Sequence, residues 1–213
     1  MNKDVLFSAY ITNLGKYNEG ELVGEWVDFP TTNETIQKVF ASIGIDFKRY
    51  EEYFITDYES NIEGLTDCFG EYESITELNC LASMIQDMGE DQDFFEAALE
   101  TGEYSSSVAD LINLTENMDC FEYLRGIYSD YDLGYYWIEE SGCYEIGNCG
   151  ILSNYIDYKN FGRDVRLDNG GMYVNGGYIC LTGDSFTEYY NGSVEEIPEE
   201  YWLYPETEGG EEE

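Results

Sequence analysis

Asp130 and Asp132 stand two residues apart ahead of Gly134, and Asp91 and Asp93 repeat that spacing. A calcium loop begins this way: it needs oxygen ligands at positions 1, 3 and 5, Gly at 6 and Glu at 12. Counted from Asp130, position 5 is Gly134, position 6 is Tyr135 and position 12 is Ser141; counted from Asp91, position 5 is Phe95. Both loops fail, and calcium sites assembled from residues distant in sequence stay open. Paired-carboxylate hydrolysis needs two carboxyls with pKa values pushed apart, but among 46 acids the spacing singles out no pair. The chain has no histidine, which removes the commonest general base, serine triads and H-E-x-x-H zinc sites. It has no Walker A motif, and DNGGMYVNGG reads as a hairpin with Gly turns, not a phosphate cradle. The cysteines, Cys68, Cys80, Cys120, Cys143, Cys149 and Cys180, form no C-x-x-C. They read as reduced, mostly buried thiols, with a Cys143–Cys149 link or a four-thiolate cluster as the alternatives. The expectation is a protein that is not an enzyme, with no catalytic residue, metal or cofactor.

What the chain has in excess is charge. Asp and Glu number 46 against 9 Lys and Arg, a formal −37, while 43% of residues are hydrophobic and 16% aromatic. That apolar content supports folded cores, and the like charge works against compactness. No run approaches a membrane span. MNKDVLFSAYITNLG carries a charge inside what would be a signal core and has no A-x-A-like cleavage site, so it reads as a cytosolic start and a cytoplasmic location is expected. Anionic lipid and nucleic acid would both be repelled. The expected partner is basic, or a metal ion, with no membrane and no nucleic acid bound.

The elements that must carry these acids fall into three blocks. In residues 1–65, VLFSAYI (5–11), LVGEWVDF (22–29) and EEYFITDYE (51–59) read as strands, with a turn at GKYNEGE (15–21). Thr31, Thr32 and Asn33 offer N-caps for a helix with Ile36, Val39, Phe40 and Ile43 on one face, stopped at Gly44. Residues 66–126 read as helical. A capping box, Ser74 to Glu77, opens the first helix; the others cover 91–100, the stretch from Val108, and about 117–125. In residues 127–186, GYYWIEE (134–140) and GGMYVNGGYICL (170–181) read as strands around a helix near 157–166. Residues 187–213 are glutamate-rich; they read as a solvated tail, although EIPEEYWLY holds enough aromatics to dock.

Every block repeats the choice of acid. Glu25 and Asp28, Glu71, Glu73 and Glu77, then Asp130, Asp132, Glu139 and Glu140 recur with few cations nearby. On a helix over 91–100, Asp93, Glu96 and Glu100 form one stripe, opposite Phe94, Phe95, Ala98 and Leu99. In RYEEYFITDYES, Glu51, Glu52, Asp57 and Glu59 crowd around a single Arg49. Strict alternation puts Asp57 and Glu59 on the same side as Tyr53 and Ile55, in conflict with an apolar inner face unless the strand ends or bulges there. B-DNA carries one negative charge per roughly 1.7 Å of axis, so 37 charges would span about 63 Å. A globule of this length has a radius of gyration of about 17 Å, so a DNA-like charge array calls for an elongated molecule.

Four motifs resemble, in order, the ArdA antirestriction proteins. AYITNLGKYNEGELVGEWVDFP resembles the family's opening strand, turn and second strand, and EEYFITDYES its acidic strand. GEYESITELNCLASMI resembles its helix, and NYIDYKNFGRDV followed by GYICL its C-terminal signature. They cover most of residues 5–182; 105–150 match loosely and 187–213 extend beyond. The implied fold class is α+β, an elongated chain of three small domains (α+β 1–65, mainly helical 66–126, α+β 127–186) with an acidic tail. The implied function is antirestriction: a DNA mimic occupying the DNA-binding groove of type I restriction-modification enzymes, on their methyltransferase core with its specificity subunit. These carboxylates would stand in for phosphates. A homodimer is implied through Asn154, Tyr155, Ile156, Tyr158, Phe161, Val165, Met172 and Val174, where Lys159, Arg163 and Arg166 also concentrate. The alternatives are an acidic adaptor or chaperone for basic proteins and, more remotely, a salt-adapted structural protein.

Overall fold

FSAYITN alternates on both sides of a strand, and it forms the central strand β1 (Phe7–Asn13) of a three-stranded antiparallel sheet. The computed structural model describes residues 5–144 and 150–203. Strand β1 lies between β2 (Gly24–Phe29) and β3 (Tyr53–Ser60). One face packs Phe7, Ala9, Ile11, Val27, Phe29 and Ile55, all buried. Helix α2 (Asn33–Ile43) supplies Ile36, Val39, Phe40 and Ile43 to the same core. Thr32 caps α2 and Gly44 ends it in a left-handed conformation, as the sequence suggests. The expected turn over 15–21 instead opens with a short helix, α1 (Leu14–Asn18), because Asn13 accepts the Lys16 amide as an N-cap.

The described residues group into two compact units. One is made from 5–92, 104–116 and 188–203, the other from 93–103, 117–144 and 150–187. The first unit adds α3 (Ile75–Asp87), opened by Ser74, and α5 (Val108–Glu116). The solvated-tail reading fails over 188–203: Tyr190, Ile197 and Leu203 are buried. The side chain of Asn113, itself buried, donates to the Tyr190 carbonyl (2.7 Å) and accepts the Tyr189 and Tyr190 amides (2.8 Å each). Asn79 donates to the Tyr201 carbonyl (3.0 Å), and Thr76 accepts the Leu203 amide (3.2 Å). The segment is a strap fastened across α3 and α5.

The second unit holds α4 (Gln92–Glu100) and an antiparallel sheet in the order β4 (Phe121–Arg125), β6 (Gly177–Leu181), β5 (Met172–Val174). The helix expected over 117–125 is a short 3-10 turn leading into β4, whose ladder to β6 decides its state. The strand expected over 134–140 is also corrected. It is helical: α6 (Asp130–Tyr135) runs into a π turn over Tyr136–Glu140. The aromatic and β-branched types of GYYWIEE favour a strand only where a sheet can receive them. Here Ser129 caps the helix, accepting the Asp132 amide. Gly134 lies against the backbone of α7 (Tyr158–Asn169), and Gly162 of α7 lies against that of α6. A Cβ on either glycine would collide with main-chain oxygen, so the pair lets the two helices cross closely.

Candidate functional site

The conflict in RYEEYFITDYES resolves into a β-bulge. Tyr10 pairs with Asp57 and Ile11 with Ile55, so Thr56 is the extra residue. Consecutive Phe54 and Ile55 are therefore both buried, and consecutive Thr56 and Asp57 both exposed. Beyond the bulge Asp57 and Glu59 point to the face opposite the α2 core. There Ser8 pairs with Asp28 on one side and Glu59 on the other, and Tyr10 pairs with Trp26 and Asp57. Strands lie about 4.8 Å apart and residues two apart along a strand about 6.7 Å. Asp57 and Glu59 thus stand roughly 7 Å apart, Asp28 and Glu59 roughly 10 Å, and Asp28 and Asp57 roughly 12 Å. At about 7 Å in water the closest pair repels by about 0.6 kcal/mol, and the other two by less.

Among the described residues none of these three carboxylates has an ion-pair partner. Asp28 accepts the Ser8 hydroxyl (2.6 Å). Tyr10 and Trp26 pack edge to face beside them, with centroids 5.3 Å apart, and Tyr10 donates to the Gly24 carbonyl. Ser8, Tyr10 and Trp26 were not among the sequence candidates, although the even-numbered positions of FSAYITN signal Ser8 and Tyr10. Glu25 is exposed on the opposite side of the sheet and accepts the Ser42 hydroxyl of α2. Glu51, Glu52 and Glu71 are exposed. Arg49 pairs with Glu19 (3.1 Å) rather than with its sequence neighbours.

Other candidates are engaged in holding the fold. Glu73 accepts the Gly70 amide (2.8 Å). Glu77 is half-buried and accepts the Tyr190 hydroxyl (2.7 Å); burial pushes its carboxyl above the ordinary range. The stripe on α4 is not left unpaired. Arg125 of β4 makes two hydrogen bonds of 2.7 Å to Asp93 and holds its carboxyl low, while Glu100 accepts the Asn175 amide (3.0 Å). Glu96 lies half-buried between them, its carboxyl raised by burial and then by the charges of Asp93 and Glu100. Asp130 accepts from Arg166 (2.8 Å) and Tyr173 (2.9 Å), and the guanidinium holds it below the ordinary value. Asp132 accepts the Ser129 hydroxyl, completing that cap. Glu139 accepts the Tyr158 hydroxyl (2.5 Å), which pushes the phenol up to about 12; Glu140 is exposed.

A family model described as antirestriction protein (ArdA) matches residues 9–180. The chain belongs to the ArdA family of antirestriction proteins. No curated protein is significantly similar to it. The ArdA match takes in the first sheet from Ala9 on, with Asp28, Asp57 and Glu59, and ends at Cys180, before the strap. Among the described residues no group of three or more Cys, Asp and Glu is placed to hold a metal ion, and no helix is long and apolar enough to cross a membrane. Cys68, Cys80, Cys120, Cys143 and Cys180 are free thiols, three of them buried; Cys149, and so the Cys143–Cys149 link, lies outside the described residues.

The residues expected to join two ArdA chains divide by position. Asn154, Tyr155 and Met172 are exposed, Tyr155 at 80%, while Ile156, Tyr158 and Phe161 are half-buried. Val165 packs on the core of Leu133, Tyr178 and Cys180, and Val174 is buried. Arg166 is spent on Asp130 and Arg163 on Asp164 (2.8 Å), so these two cations are balanced within one chain.

Proposed function

We propose that the protein restrains type I restriction-modification enzymes by mimicking DNA, occupying the groove that their methyltransferase core and specificity subunit offer to the duplex. It acts by binding and carries out no reaction of its own. The supporting observation is the outer face of the first sheet, where Asp28, Asp57 and Glu59 form a carboxylate array without a cation partner among the described residues. A groove built for phosphates presents Lys and Arg at comparable charge density. Glu51, Glu52, Glu71 and Glu140 extend the array, and Glu25, Glu73, Glu96, Glu100 and Glu139 contribute charge where their structural bonds leave an oxygen open. Asp93, Asp130, Asp132 and Glu77 act chiefly by holding the fold. The active form is a homodimer joined through residues 127–186.

Competition against duplex DNA tests this reading. Each exposed contact is worth on the order of 0–1 kcal/mol, so D28N, D57N or E59Q alone should weaken inhibition by less than about fivefold. The triple variant should weaken it by on the order of tenfold or more. Displacement by unmodified duplex and loss of inhibition with rising salt are both expected. Inhibition that persists while DNA stays bound to the enzyme would exclude mimicry and favour an acidic adaptor acting elsewhere.

A further inference from the structure

We propose that the groove between the strap and helices α3 and α5 binds a linear aliphatic polyamine. Two adjoining cavities, of about 360 and 300 Å³, share Met84, Glu116 and Tyr201 in their walls. Together they make a groove of small-molecule size. Among the described residues no Lys or Arg lines either cavity. Glu196 and Glu200 stand in the larger one and Asp87 in the smaller, with Glu116 common to both. Between these acids the wall is soft and aromatic, Met84 and Tyr201 with Tyr190 alongside. An alkylammonium gains from a tyrosine face, and its methylenes pack well on a thioether. Acids in each cavity and Glu116 at their shared wall, interleaved with Met84 and tyrosines, match a ligand that alternates charge and methylene.

Other occupants fit less well. A hard divalent ion needs six to eight oxygens at about 2.3–2.6 Å, and among the described residues no such cluster forms. A single Lys or Arg of a protein partner would enter one cavity and leave the far acids unmatched. The −37 charge raises the local concentration of any cation, so the groove must be separated from that general attraction. This inference does not depend on DNA mimicry.

Calorimetric titration with spermidine at about 0.15 M salt provides that separation. The wild-type chain should show one saturable site. E116Q/E200Q changes two exposed carboxylates in the groove, and D57N/E59Q removes the same charge from the first sheet. Affinity should fall on the order of tenfold in the first and stay unchanged in the second. Butylamine, charged at one end, should bind far more weakly. E116K, which sets an ammonium in the groove, should abolish binding while circular dichroism shows the fold intact. Equal losses in both double variants, retained binding in E116K, butylamine matching spermidine, or an Arg/Lys peptide binding where spermidine does not would each overturn the proposal.

Discussion

Glu77 shows how one carboxylate can be chemically unlike its neighbours. It stands at the third position of α3, where sequence assigns it the second half of a capping box, yet its side chain accepts the Tyr190 hydroxyl. Burial raises its carboxyl above the ordinary 4.5. An acid with a raised folded-state value favours folding in its protonated form. Its contribution is complete below 4.5 and is lost as pH rises through the folded value. Glutamine keeps the neutral form and can still accept from Tyr190. E77Q should therefore match the wild type in stability below pH 4.5 and exceed it modestly at neutral pH, as read by urea unfolding across pH. A destabilised E77Q at neutral pH would mean that the charge is needed. Asp130 has the opposite sign. Arg166 holds it below 3.8, so its contribution is present above that value and lost as pH falls through the lowered one. Sequence marks both only as acids; the distinction lies in partners 113 and 36 residues away.

At the scale of elements, the α6–α7 crossing rests on Gly134 and Gly162. G162A adds one methyl group against the main chain of α6 at Asp130, where relief requires the helices to separate. Overpacking of this kind costs about 1–3 kcal/mol. Thermal unfolding should show that loss, whereas an exposed substitution on the same helix, D168N, should stay within about 0.5 kcal/mol. Equal effects would remove the close crossing as the reason for the glycine. This also gives NFGRDV a structural content, since its glycine is the contact point. Periodicity and caps made β1, β2, β3, α2, α3, α5 and the 170–181 hairpin legible. It misread 134–140 and 117–125, where the ladder to β6 and the crossing with α7 override local preference. The bulge at Thr56 was legible only as a contradiction, because alternation states which residues conflict and not where the extra one sits. The strap was partly legible in its aromatics, but its fastening by Asn79 and Asn113 was not.

For the whole molecule, two chains of −37 must approach each other to form the proposed dimer, which would carry −74. Arg163 and Arg166 already have partners within the chain, so charge relief by these cations is not the attraction. The surface around residues 151–181 instead exposes Ile151, Tyr155, Leu167 and Leu181, with Met172 at its margin. Apolar burial is the remaining drive, at roughly 25 cal/mol per Å², and salt assists it by screening the repulsion. Sedimentation should give a dimer at moderate salt, dissociating as salt is lowered, and L167E/M172E should sediment as a monomer with reduced inhibition. A wild-type monomer at micromolar concentration that inhibits fully would end the dimer reading.

The polar fastening of the strap uses chiefly what every residue has. Asn113 and Asn79 grip its amides and carbonyls, so most of the recognition is blind to side-chain identity at 189, 190 and 201. Tyr190, Ile197 and Leu203 are tied to the core by their side chains; between them the segment can change composition as long as its path is kept. A search for the same strap in another chain by matching its letters would miss it. The durable mark is in the helices: two buried asparagines, at the places of Asn79 and Asn113, whose amides bond the backbone that passes over them.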